Sequence, residues 1–270
     1  EDQIFQVFIY SLDQDKAYNV SQNTFNDFHP VFTEDGDHLL FVSNRHFDPT
    51  FGDFEWELVY KDVAGVYAMA LEKDGEPFLP LQNDEVDGKT KKSASGSQVE
   101  VDFEGISNRV EALPLKKGNF RYLTVNDGKL FYLDKDEGDF NRFEFREVRT
   151  MNLHAFDFAS RSSYKVIGSV NDYKLSHDGS SIVYKQGKDV GIIPTSVKES
   201  KGHTLDLSNL KMELHPRKEW NQIYDEAWRM ERDFYYEPGM HGIDWKQMKK
   251  KYAKMMERAS CRSDVDYIIG

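Results

Sequence analysis

The chain has 270 residues, 39% hydrophobic and 14% aromatic, enough to bury a real core in one large β domain or two smaller ones. Its formal net charge is −12; residues 210–270 carry 12 basic and 11 acidic side chains, so the first 209 hold about −13. Such an acidic body repels phosphate backbones and argues against nucleic acid as a partner, and no apolar run approaches the ~20 residues that a membrane helix needs.

Glu1-Asp2 opens straight onto a strand, Ile4–Leu12, with no signal peptide, so the start reads as internal. The segment from Asp27 to Ser43 has a clear grammar: a short strand, the turn Asp35-Gly36, then the apolar strand Leu39-Leu40-Phe41-Val42. Gly36 supplies the positive φ that a tight hairpin requires. The same grammar returns around Asp127-Gly128, between Tyr122 and Leu133, and around Asp178-Gly179, between Asn171 and Tyr184. Aligning the first and last turns places Thr33 on Ser176, Phe32 on Leu175, Leu39 on Ile182 and Phe41 on Tyr184.

The intervals between turns are 92 and 51 residues. A blade of four short strands takes about 40 to 50, so the shorter interval is one blade. The longer is two blades, or one blade with a large insertion. Further strands are expected at Val66–Leu71, Val99–Phe103, Val110–Leu113 and Phe143–Val148. Asn83–Gln98 reads as a polar surface loop, and the aromatic stretch Phe47–Tyr60 as an ordered insertion. The fold class expected is mainly β: a partial β-propeller of about four blades, TolB- or WD40-like, over residues 1–212. A β-sandwich of hairpins is the competing arrangement of the same strands.

Residues 213–270 are expected to be helical. Trp220, Ile223, Tyr224, Ala227, Trp228, Met230 and Phe234 fall on one face of a helix that begins near Pro216 and ends before Pro238-Gly239. Asp244 with Gln247 predicts the cap of a second helix, with Trp245, Met248, Tyr252, Met255 and Met256 inward. Lys246, Lys249, Lys250, Lys251 and Lys254 then form its solvated face. Ser263 with Asp266 predicts the cap of a third helix, cut short at Gly270.

Chemistry-bearing motifs are scarce. The sequence has no Gly-x-Ser-x-Gly elbow, no His-Glu-x-x-His helix and no Gly-rich phosphate loop. Ser176-His177-Asp178 has the composition of a catalytic triad, but its counterpart in the repeat is Thr33-Glu34-Asp35, so it is assigned to a turn. Asp134–Asp139 lacks the later Glu of a calcium loop and reads as an acidic hairpin turn. The histidines lack metal-ligand spacing; His241 is expected to cap or pack between helices, and Cys261, the single cysteine, to be a core or boundary residue. No catalytic, cofactor-binding or metal-binding residue is therefore assigned, and no cofactor is implied.

The repeat, with Pro30, Phe32, Thr33, Asp35-Gly36, Leu39–Val42 and Ser43, resembles the TolB-type propeller motif. Glu219–Arg229, Arg232-Asp233-Phe234-Tyr235-Tyr236, His241-Gly242-Ile243-Asp244-Trp245 and Arg262–Tyr267 resemble tricorn proteases and their bacterial homologues more sharply. That resemblance implies the late blades of a second propeller running into the first core domain of a serine endopeptidase that degrades peptides or unfolded chains. It implies that the catalytic residues lie beyond Gly270. The partners it implies are a peptide or unfolded-protein substrate, the remaining protease domains and other copies of the parent; the expected compartment is the cytoplasm, with the periplasm as alternative. Two other classes compete: a TolB-like propeller that only docks proteins, and the propeller of a prolyl-oligopeptidase-type hydrolase.

Overall fold

The computed structural model describes residues 4–21, 24–46, 49–51, 58–60, 62–80, 99–135 and 150–270. They form two compact units, Glu1–Leu205 and Asp206–Gly270.

The first unit is a succession of antiparallel sheets in chain order. Strands β1 (Phe8–Ser11) and β2 (Lys16–Asn19) make a hairpin. Next come β3 (Asp27–Phe32), β4 (His38–Ser43), β7 (Gly65–Ala70) and β8 (Val110–Ala112), paired in that order. The small hairpin of β5 (Pro49–Phe51) and β6 (Leu58–Tyr60) is inserted between β4 and β7. The third sheet orders β9 (Phe120–Asn126), β10 (Lys129–Asp134), β11 (Met151–Asp157) and β12 (Ser162–Val170). The last holds β13 (Asp172–Leu175), β14 (Ser181–Gln186) and β15 (Asp189–Pro194). Its outer edge is extended by a bridge from Gly191 to Thr204. The 92-residue interval is therefore one blade carrying an insertion, because Asp35 and Asp127 belong to consecutive sheets.

Strand β4 explains why the sheets stack. His-Leu-Leu-Phe-Val-Ser is buried at every position, as a strand covered on both faces must be. Leu40 and Val42 meet Leu130, Tyr132 and Phe156 of the following sheet. Leu39 and Phe41 point the other way, to Val7, Ile9 and Val20 of the first hairpin. The pattern repeats one sheet on, where Phe131 and Leu133 pack with Tyr173, Ile182, Tyr184 and Ile193. Period-two alternation in a central strand thus serves two cores at once.

Val99–Phe103 is not a strand. Its extended chain is held by Asp102 N–H donating to Leu71 O at 3.0 Å, and by Arg109. The Arg109 guanidinium donates to the carbonyls of Ala70, Leu71, Glu104 and Asp102. A side chain saturates the backbone acceptors here, so Val101 and Phe103 join the core without a ladder. The expected strand Phe143–Val148, the loop Asn83–Gln98 and Asp136–Asp139 lie outside the described residues, as does most of Phe47–Tyr60.

The second unit holds α1 (Pro216–Phe234), α2 (Trp245–Met256) and α3 (Arg262–Ile269). Pro216 occupies the first turn of α1, where its missing N–H costs nothing. Asp244 caps α2, accepting from Gln247 N–H at 2.9 Å. Tyr224, Met256, Ala259 and Val265 form the small core. Trp228 and Trp245 clasp each other: each indole N–H donates to the other residue's carbonyl at 3.0 Å, and the rings lie 11° from parallel.

Four expectations fail in this unit, the first being Met255, which was expected inward on α2 and is 42% exposed. Met230 and Phe234 continue the apolar spacing of α1 but are 60% and 83% exposed, because the α2 and α3 core ends short of them. The cap of α3 is Cys261, not Ser263: Asp264 accepts from Ser260 and Cys261 N–H, so the helix starts two residues earlier. Cys261, expected as a core or boundary residue, is accordingly exposed.

Candidate functional site

Three hairpins join the first and second strands of consecutive sheets, so their turns lie at one end of the blades. Gly36, Gly128 and Gly179 take φ of +75°, +65° and +67°. In the first, Thr33 Oγ1 donates to Asp35 Oδ1 at 2.6 Å and accepts from His38 N–H at 3.0 Å. In the third, Ser176 Oγ donates to Asp178 Oδ1 at 2.5 Å and accepts from Ser181 N–H at 3.0 Å. Gly36 N–H to Thr33 O matches Gly179 N–H to Ser176 O, both at 3.0 Å. Ser176 is thus the hydrogen-bonding equivalent of a threonine. Its hydroxyl serves the turn.

Neighbouring turns are also tied together. The Glu34 carboxylate accepts from Asp127 N–H at 2.8 Å and Gly128 N–H at 3.1 Å. Asn126 donates its amide to Gly179 O at 3.0 Å. The result is a row of exposed carboxylates: Glu34, Asp35, Asp37, Asp127 and Asp178. The Ser176 hydroxyl, then the Ser180 N–H and hydroxyl, pull the Asp178 carboxyl down to about 2. On the same end, Ser160 N–H and hydroxyl lower Asp157. This face therefore stays anionic at neutral pH and attracts cationic groups, more strongly at low salt.

The edge strands β3 and β9 carry a second feature that composition and spacing did not signal. Both bulge, between Phe28 and Val31 and between Arg121 and Thr124, and both turn left-handed there, at His29 (φ 52°) and Tyr122 (φ 52°). The two rings lie 4.8 Å apart. Burial and the nearby Arg121 charge lower the pKa of His29. Tyr173, from the next sheet, locks the second bulge by donating to Tyr122 O and approaching Phe131 O and Thr124 Oγ1.

In the helical unit, His241 sits in a left-handed turn (φ 51°), with its ring against Tyr235 and its Nε2 2.5 Å from Tyr236 Oη. Its backbone N–H donates to the Glu237 carboxylate at 2.6 Å. Among the described residues no cluster of His, Cys, Asp and Glu has the geometry of a metal site, and no helix is long and apolar enough to cross a membrane.

The family model for the "Tricorn protease second beta propeller domain" matches residues 1–196, and that for the "Tricorn protease C1 domain" matches residues 216–270. The chain belongs to the tricorn protease family. It is 25% identical over 262 residues to the Tricorn protease of Thermoplasma volcanium, covering 97% of this chain and 25% of that protein. It is 30% identical to Putative tricorn protease homolog 2 of Streptomyces coelicolor, covering 90% of this chain and 22% of the relative. A crystal structure of the tricorn protease superposes with a TM-score of 0.77 at 18% identity, over 98% of this chain and 25% of that one. That likeness establishes the fold: the stacked sheets are blades of a partial propeller. The chain spans about a quarter of the length of these curated tricorn relatives.

Proposed function

We propose that this chain is the accessory propeller region of a tricorn-like serine endopeptidase, guiding or filtering peptides toward an active site built elsewhere in the parent protein. In this reading residues 1–212 are the propeller portion, and residues 213–270 open the helical part of the protease core. The observation that carries it is that Ser176 and Asp178 share the turn hydrogen bonds of Thr33 and Asp35. A serine nucleophile needs a base within reach and an oxyanion hole; the Ser176 hydroxyl instead donates to the carboxylate of its own turn. The anionic turn face supports the guiding role, because a peptide with basic side chains gains from it without being cleaved.

Purified protein should neither hydrolyse fluorogenic peptides nor be labelled by serine-directed phosphonates. It should bind a fluorescent basic peptide with an affinity that falls as salt rises. Hydrolysis that survives repurification and disappears in Ser176→Ala would refute the assignment of that turn.

A further inference from the structure

The helical unit carries a cleft of about 230 Å³, lined by Arg217, Trp220 and Asn221 of α1 with Met256 and Glu257 at the end of α2. Helical spacing builds it. Arg217, Trp220 and Asn221 stand at i, i+3 and i+4, so they share one face of α1. Met256 is the last residue of α2, and Glu257 follows as its cap. Trp220 packs against the small core and Met256 is 5% exposed, so the apolar wall of the cleft is held from behind.

The polar groups around that wall are left over from folding. A guanidinium has five N–H donors. Arg217 uses one, toward Glu257 O at 3.4 Å, beyond the usual range of about 2.7–3.2 Å. The Asn221 carboxamide and the Glu257 carboxylate bond to no other described residue. Arg217 and Glu257 line the same cleft, yet their charged ends form no ion pair. Glu257 also marks the C-terminal end of α2, where carbonyl dipoles favour a cation. A fixed cation, a fixed anion, a free carboxamide and an indole ring are the complement of a zwitterion with an apolar side chain. Size narrows the choice. Sites for drug-sized ligands start at ~300 Å³, so the occupant here is smaller. A sphere of 230 Å³ is about 7.6 Å across, and two extended residues span about 7 Å.

We propose that this cleft binds a zwitterionic dipeptide with apolar side chains. Its carboxylate takes the free fork of Arg217, and its ammonium group lies toward Glu257. The Asn221 carboxamide meets the peptide group, and an apolar side chain lies on Trp220 and Met256. The site is contained in the helical unit and does not rest on the peptide-guiding role of the blades.

Titration of the nitrogen-15-labelled 270-residue protein with leucyl-leucine, followed by NMR, tests this. The Trp220 indole N–H signal, identified by its loss in Trp220→Phe, should shift and saturate, half-maximally near ~1 mM. The indole N–H groups of Trp228 and Trp245 are already bonded to carbonyls, and their signals should stay in place. Arg217→Ala should weaken binding about tenfold, and Arg217→Lys, which keeps the charge but not the fork, by less. Glu257→Gln should weaken binding of leucyl-leucine but not of N-acetyl-leucyl-leucine, which has no ammonium group. Unmoved Trp228 and Trp245 signals establish that each variant is folded; if Arg217→Ala disturbs them, Arg217→Gln takes its place. Absence of a saturable shift at Trp220 overturns the proposal. So does binding that the folded Arg217 variants leave unchanged. Equal binding of N-acetyl-leucyl-leucine amide, which lacks both charges, overturns it too, because the cleft would then be an apolar groove only.

Discussion

The two units of this tricorn relative achieve order in different ways. In the blades, each central strand is covered on both sides, and Leu40, Phe131, Leu133, Leu153 and Ile182 have no exposed surface. In the helical unit, Val265 alone reaches that state, while Met230, Phe234, Tyr236 and Tyr267 are largely exposed. The blades are self-sufficient because a repeated strand pattern supplies both partners of every interface. The helices carry amphipathic faces wider than the core they have available.

Truncation in the two cores should separate them most. Phe131→Ala should cost about 3 to 5 kcal/mol, since the ring is fully enclosed. Trp228→Ala, from a half-buried position, should cost about 2 kcal/mol despite the larger side chain. Denaturant midpoints measure both, and equal costs would erase the contrast. A smaller effect is expected for Tyr173→Phe, which removes one hydroxyl among three oxygens of the preceding sheet. A loss of about 1 to 3 kcal/mol is predicted; a value within error of zero would mean that water replaces the hydroxyl and that the bulge needs no lock.

The smallest effect is at Asp178. Its folded pKa of about 2 lies below the ordinary value of 3.8, so the stabilisation is fully present above the unfolded pKa. It is lost as pH falls through the folded value. Because the carboxylate is solvent-exposed, the sharper readout is its own NMR titration. The midpoint should lie near 2, and Ser176→Ala should raise it toward the ordinary value.

Much of this was legible beforehand, for physical reasons. An Asp-Gly pair flanked by alternating apolar residues announces a hairpin, and all three turns stand where that grammar put them. Asp244 announced its helix because a carboxylate at that place satisfies an orphan N–H. Periodicity, in contrast, shows that a face is apolar but not what covers it, so Met230 and Phe234 were misplaced. Val99–Phe103 has strand composition, yet Arg109, which takes the carbonyls of Asp102, 7 residues before it, and of Leu71, 38 residues before it, is invisible to any local rule. The Glu34 contact and the paired bulges at His29 and Tyr122 depend on register between sheets, which no single segment encodes.

The ties between turns have a consequence for how the blades come apart. Glu34 reaches only the next turn, and Asn126 only the one after that. Cooperativity is then passed hand to hand along the chain, as in a row of dominoes, and not shared through a common centre. In the 270-residue protein, the two-stranded hairpin at Phe8–Asn19, whose core contacts among the described residues are to one sheet, should release its amide protons to solvent before the strands around Leu40 and Leu130.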